Sequence, residues 1–510
     1  MSAPKKPLNL AVKPLAAAVT VASALMLASQ AQAVNVAQDG LGEVLLFPYY
    51  TVNNSFDTNI NITNTSENTV IFKIRFREAH NSRDARDFNV VLSPFDVWTA
   101  RVTMGTNGVA RLETADMSCT VGQLPTLANG NRGIDFTNFD YTGINADQGP
   151  TGLDRTLEGH IEVIQMAVQY PTNGGQDVPS SGLTFPSGSV GYNAQHVAGV
   201  PRNCGAVATA LGASNVVSTA RDLFEPINVL KGSLSLIKVS QGKAIAVDPT
   251  VLANFYNPDS SGVDGDGAAG SNLLFSPASQ DPQLNQTNPA VAELFDDTIG
   301  APIFAFMANP EDAVSAVLSR KVVVNQYSVN PAVGAQTDWV VSFPTKYFYV
   351  DERETGSNFS LAPFNASDTF QNPQLDCAAV NVGFRFFDRE ENEQIIADPG
   401  FSPPPPQGSN AICYETQVIT FDNGNVFGSP LAVNVDVASA GYKNGWMRLE
   451  FPDAGALVGS SQAGNTTFTG LPIIGFAATT LENGSAGSFV LNYGMGWSHG
   501  YVTDITPPAL

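Results

Sequence analysis

The chain has 510 residues, of which 25 are Lys or Arg and 47 are Asp or Glu, for a net charge of −22. So acidic a chain lacks the broad basic footprint that nucleic acid requires, and it is repelled by anionic lipid. Hydrophobic residues make up 43%, an ordinary share for a folded core, so the acidity is not that of a disordered tail.

Lys5, Lys6 and Lys13 charge the first residues, an uncharged apolar run follows from Leu15 to Ala28, and the stretch ends Ser29-Gln30-Ala31-Gln32-Ala33. A charged start, a short apolar centre and an A-x-A ending are the three parts of a secretory signal peptide, expected here at 1–33 with cleavage after Ala33. Its removal takes away three lysines and no acid, which moves the net charge from −22 to −25. The apolar centre is short of the roughly 20 residues that span a bilayer as a helix. An uncleaved N-terminal anchor is the alternative. No Cys follows the run to carry a lipid, and no later stretch reaches membrane length, so no span is expected after cleavage. Export to the cell surface or beyond, with the periplasm as the other destination, makes the acidity a property of an external surface. Divalent cations are its natural counter-ions.

Gly (45) and Pro (33) are plentiful, and with Asn, Thr and Ser they suit short strands joined by turns. Val44 to Tyr50 is a β-type run whose internal Pro48 argues for an edge or a bend. Asn59 to Thr63 alternates polar and apolar residues, and Asn64-Thr65-Ser66-Glu67-Asn68 is a turn. Val70, Phe72, Ile74 and Phe76 then fall on one face of a strand, with Lys73, Arg75 and Arg77 on the other. Phe88, Val90 and Leu92 repeat the pattern before the Ser93-Pro94-Phe95-Asp96 turn into Val97-Trp98-Thr99-Ala100. This order of strand, N-T-S turn, strand and L-x-P turn resembles the immunoglobulin-like sandwiches of bacterial surface and periplasmic proteins. The resemblance covers about 60 residues, implies two sheets packed face to face, and brings no catalytic residue with it.

From Met104 to Arg202 the chain is rich in Gly, Asn and Asp, with one good strand at His160 to Met166 and long loops elsewhere. Gly205 to Leu211 reads as a helical turn or two. Ser233 to Val239 and Lys243 to Val247 read as a hairpin around Gln241-Gly242. Asn257 to Gly270 reads as a flexible polar loop. Ala290 to Asp297 and Glu311 to Ser319 are short helix candidates, the second opened by Asn309-Pro310. Strands resume at Val322 to Val324, Trp339 to Phe343, Lys346 to Val350, Val382 to Phe387, Tyr414 to Phe421, Trp446 to Phe451, Ile473 to Ala478 and Phe489 to Tyr493. Pro403 to Pro406 form a stiff four-proline loop. The fold class expected is mainly β: two antiparallel sandwich domains, immunoglobulin-like or jelly-roll-like, with long loops and a few short helices. The boundaries expected are 34–250 for the first β-rich domain, 251–310 for a linker with short helices, and 311–510 for the second sandwich. An outer-membrane barrel is the architectural rival, but its strands are longer and more regular.

As a whole the chain resembles uncharacterised secreted β-rich surface proteins of Gram-negative bacteria, on the stretches Gly40 to Tyr50 and Asp338 to Lys346. That resemblance carries over no activity.

The four cysteines, Cys119, Cys204, Cys377 and Cys413, allow three pairings in an exported chain. Cys119–Cys204 and Cys377–Cys413 keep each bridge within one half of the sequence. A four-thiolate zinc site lacks any C-x-x-C pair. Asp259, Asp264 and Asp266 lie on a Gly- and Ser-rich stretch, a carboxylate spacing that suits calcium. The EF-hand pattern fails, since Ala268 stands at its third ligand position, and a solvated linker is the alternative. Gly265, Gly267 and Gly270 spell G-x-G-x-x-G without the strand and helix that a dinucleotide site needs. His80, His160, His196 and His499 show no metal-ligand spacing and read as surface or interface residues. Arg75, Arg77, Arg83 and Arg86, among Glu78, Asp84, Asp87 and Asp96, read as a salt-bridged network; the alternative is a patch for an acidic polysaccharide or a neighbouring subunit. Trp98, Trp339, Trp446 and Trp497 read as sandwich core or as a sugar platform. No catalytic motif is present, although a Ser-His-Asp triad needs no local motif.

The function expected is an exported, non-enzymatic structural or adhesion protein. Its partners would be copies of itself, other surface proteins or polysaccharide, and no cofactor other than calcium is expected. A carbohydrate- or calcium-binding module is the first alternative and a secreted hydrolase the second.

Overall fold

The architecture comes from a computed structural model. It describes residues 33–507 apart from 148, 174–175, 178–183, 213–222, 257–281, 297–300, 352–361, 365–377, 396–410, 438–440, 462–463 and 487–488. The chain is mainly β, in antiparallel sheets with a few short helices. No helix among the described residues is long and apolar enough to cross a membrane.

In the first half the main strands are β1 (Val44–Thr51), β2 (Asp57–Asn64), β3 (Thr69–Glu78), β4 (Asp84–Leu92), β5 (Val97–Met104), β6 (Glu158–Gln169), β7 (Leu230–Lys238) and β8 (Lys243–Val247). One seven-stranded sheet runs Asn35–Val36, Thr250–Ala253, β1, β6, β3, β4, Cys119–Val121. A six-stranded sheet runs β8, β7, β2, β5, Ala110–Thr114, Arg132–Asp135. The apolar alternation read from the sequence points inward between them: Phe72, Ile74 and Phe76 of β3 meet Ile60 and Ile62 of β2 and Trp98 of β5 in one core. Pro48 sits where the pairing of β1 with β6 shifts register between Gly159 and Ile161. A residue without an N–H therefore falls at a bulge and removes no ladder bond. The hairpin of β7 and β8 turns through Gly242 at φ +63°, left-handed backbone that suits glycine.

In the second half the strands are β9 (Val322–Ser328), β10 (Gln336–Ser342), β11 (Gly383–Asp388), β12 (Thr416–Phe421), β13 (Asn444–Glu450), β14 (Ile474–Ala486) and β15 (Phe489–Ser498). They form the sheets Glu393–Ile395, β11, β13, β9, Gly500–Val502 and Val433–Val435, β12, β10, β14, β15. A third sheet runs Val291–Asp296, Ala301–Phe306, Ala456–Ser461, Gly464–Thr469, Ile505–Thr506.

The halves share their interior, and Ala33–Leu510 forms one compact unit. Strand β10 serves two cores. Val340, with Val418 and Phe476, packs into the first-half core, while Trp339 and Val341, with Ile419, pack into the second. Burial on both faces explains why Trp339, Val340 and Val341 follow one another without polar alternation. At another seam Gly494 and Gly496 of β15 press on the backbone of β8. A Cβ at these positions would lie 2.6 Å from the Ala244 carbonyl oxygen and 2.3 Å from that of Ala246.

Two expected elements differ from what is observed. Residues 290–297, expected helical, form the strand Val291–Asp296, paired in register with Ala301–Phe306. Ladder pairing with a neighbouring segment outweighs the local helix preference of so short a stretch. Lys346 to Val350, expected as a strand, is a single helical turn, Tyr347–Val350. All four residues of that turn are buried, so no polar alternation marks its geometry in the sequence. Lys346 fixes the turn by donating from Nζ to the carbonyls of Ala378 at 2.6 Å and Cys413 at 2.7 Å. The helix expected at 311–319 is present as Pro310–Val317, and the turn expected at 205–211 as Cys204–Ala210.

Candidate functional site

Two polar constructions stand out, one buried and one open. The buried one grows from the second face of β3. Register places Arg75 opposite Glu162 of β6, and Arg77 opposite Asp84 of β4. Arg77 reaches Glu162 at 3.3 Å, and Arg75 reaches Asp84 at 3.1 Å. The helical turn brings Tyr347, whose hydroxyl accepts from Arg77 Nη2 at 3.0 Å. Arg83 pairs with Asp351 at 2.7 Å. Arg155, fully buried, holds Glu78 at 2.8 Å and Asp147 at 2.7 Å and lies 4.1 Å over the Tyr141 ring. Ser82, in left-handed backbone, hydrogen-bonds Glu415. Arg86 turns away to the Asp135 carbonyl, donating from Nη2 at 2.6 Å.

Charges this deep are held by partners. Burial raises the Glu78 and Glu162 carboxyls, but Arg155 and Arg77 outweigh it and bring both down to about 2. At Glu415 and Asp84 burial wins, and the carboxyls rise to about 8 and about 6. The arginine cluster is thus a salt-bridged network. Arg77 and Arg83 tie the first-half sheet to Tyr347 and Asp351 of the second half, and being buried they offer no surface patch. Its chemistry is cohesion.

The histidines correct the surface reading at two positions. His160 is fully buried and meets Thr416 through Nδ1 at 3.3 Å. His499 is buried against Trp339, with ring centroids 4.9 Å apart. It donates from Nε2 to the Val340 carbonyl at 3.0 Å, and its Nδ1 meets the Asn325 amide at 3.0 Å. Burial lowers it to about 3, so it stays neutral. His196 gathers Ser93 at 3.4 Å and Asp96 at 3.6 Å, but both sit on the same nitrogen, Nδ1. A catalytic relay places acid and nucleophile on opposite ring nitrogens, so this cluster is not a relay.

The open construction lies on the second half. Trp98 and Trp339 are fully buried, whereas Trp446 is 38% and Trp497 39% exposed. Strand β13 alternates Trp446, Arg448 and Glu450 outward with Met447 and Leu449 inward, which turns one indole to the outside. Phe387 of β11 is its cross-strand neighbour and stacks on it, centroids 4.2 Å apart and planes 10° from parallel. Trp497 comes from β15, held beside β9 by Asn325 Nδ2 donating to the carbonyls of Trp497 and Ser498 at 3.1 and 3.2 Å. Both tryptophans line one groove of about 460 Å³. Tyr327 forms part of its floor, and the Tyr327 hydroxyl is buried without a hydrogen-bond partner among the described residues. Gln326, Asp388, Arg389 and Asn444 give it a polar rim. Half-exposed aromatic faces beside a polar rim have the chemistry that suits a ligand with both apolar and hydroxylated faces.

Of the other residues singled out from the sequence, Cys119 and Cys204 are disulfide-bonded, with Cα atoms 5.0 Å apart. Cys377 lies outside the described residues, as do Asp259, Asp264 and Asp266; no cysteine among the described residues is free. Sequence reasoning missed Phe387 and Tyr327, whose inward or stacked aromatic character looks like core in a one-dimensional reading. No family model, curated protein or solved structure matches the chain.

Proposed function

We propose that this chain is an exported, non-enzymatic surface protein of the adhesion type that holds neutral glycans in the Trp446–Trp497 groove. The observation that carries the reading is the placing of two half-exposed indoles in one groove, one of them backed by Phe387. Sugars present C–H faces that stack on indole and hydroxyls that exchange hydrogen bonds with a rim such as Gln326 and Asn444. The rim carries one acid, Asp388, and one base, Arg389, which favours a ligand without net charge. The signal-like start and the acidic surface support an external place of work. The buried ionic network supports a body whose halves hold together under load.

A glycan array probed with the purified protein tests this. Retention on a set of neutral oligosaccharides is expected, with at least a tenfold loss in Trp446→Ala or Trp497→Ala. A native protein recovered only as a soluble periplasmic monomer that is retained on no glycan overturns the proposal.

A further inference from the structure

A second groove, of about 590 Å³, lies where Asn35–Val36, the third sheet of the second half and the Tyr501 strand come together. Phe295, Pro302, Val317 and Ile505 form an apolar stretch of its wall, beside the polar Asn35, Gln38 and Thr503. One cation lines it, Arg320. The Arg320 guanidinium lies 4.9 Å over the Tyr501 ring, and Nη1 donates to the carbonyls of Val317 at 3.1 Å and Ser319 at 2.8 Å. Its Nε is buried with no hydrogen-bond partner among the described residues. Arg75, Arg77, Arg83 and Arg155 each have a carboxylate within 4 Å, whereas Arg320 has none among the described residues. In a chain with 47 acids and 25 bases, a guanidinium beside an apolar wall with no carboxylate among the described residues in ion-pair reach can take an anionic ligand.

We propose that this groove is a binding site for a small amphipathic monocarboxylate, its anionic head on Arg320 and its apolar body along Phe295, Pro302 and Val317. Charge complementarity selects the head. The apolar stretch of the wall suits the body. Glu293 lines the same groove, where its carboxyl accepts from Asn35 Nδ2 at 3.4 Å. With one acid already present, a single negative charge fits better than a doubly charged phosphate. The volume lies in the range usual for small-molecule sites.

The test is calorimetric titration of the full-length protein with decanoate, kept below its aggregation concentration, beside decanol and inorganic phosphate. Decanoate is expected to bind at least tenfold tighter than either control, and Arg320→Gln to lose at least tenfold in affinity. Since Arg320 also ties two carbonyls, a second variant, Thr503→Trp, fills the exposed mouth of the groove and leaves those bonds in place; it too is expected to abolish decanoate binding. Equal binding of decanoate and decanol, phosphate binding as tightly as decanoate, unchanged binding in Thr503→Trp, or no decanoate binding by the wild type would each overturn the proposal.

Discussion

Glu415 is a buried acid whose hydrogen-bond partner is Ser82 and whose carboxyl is raised from an ordinary 4.5 to about 8 by burial. Between those values the folded chain keeps a proton that the unfolded chain releases. Stability contributed by this group is therefore complete below about pH 4.5 and falls as the pH rises toward about 8. At about 1.36 kcal/mol per pH unit, the fall from pH 5 to pH 9 comes to about 4 kcal/mol. Glu415→Gln keeps a neutral, hydrogen-bonding group of the same shape and cannot ionise. The variant is expected to match the wild type near pH 5 and to exceed it by about 4 kcal/mol at pH 9. Glu43, Asp84 and Asp338, also raised by burial, lose stability over lower pH ranges, but they are common to both proteins and cancel in the difference. Urea denaturation at pH 5, 7 and 9 with the disulfides intact reads this directly. A difference between variant and wild type that stays constant across that range would refute the reasoning.

Arg155→Met leaves Glu78 buried without its cation and Asp147 with only Arg83, at 3.6 Å. A loss of about 3–5 kcal/mol is expected in the same assay, and a loss below about 1 kcal/mol would contradict the cohesive role of the network. Replacing Cys119 and Cys204 by Ser opens a bridge spanning 85 residues, and chain entropy predicts a loss of about 4–5 kcal/mol. Calcium at Asp259, Asp264 and Asp266 predicts a higher Tm in millimolar calcium than in EDTA, abolished by Asp264→Asn with Asp266→Asn; coincident melting curves would remove that site.

Much of the β architecture was legible because alternation is a local signal. Val70 to Phe76 declared a core face. The charged face of β3 was legible as a network but not as a buried one, because its cover comes from Tyr347, Asp351 and Glu415, some 270 residues or more away along the chain. Strand β10 reads as buried on both sides, yet which cores it serves depends on partners that sequence spacing does not name. Gly494 and Gly496 look like ordinary turn glycines until β8 is laid against them. The aromatic groove was half legible. Four tryptophans were visible, and only assembly of β9, β11, β13 and β15 divides them into two for the core and two for the surface. Arg320 carried no local sign at all, since only the fold shows that no carboxylate among the described residues pairs with it.

The proposed glycan site in the Trp446–Trp497 groove is tested most directly by tryptophan fluorescence during titration with the neutral oligosaccharide best retained on the array. Sugar packing on the half-exposed indoles of Trp446 and Trp497 predicts a saturable change in emission. A loss of about 2 kcal/mol, roughly thirtyfold in Kd, is expected on truncating either one. Trp446→Ala and Trp497→Ala proteins that fold normally and still bind with wild-type affinity would contradict the account.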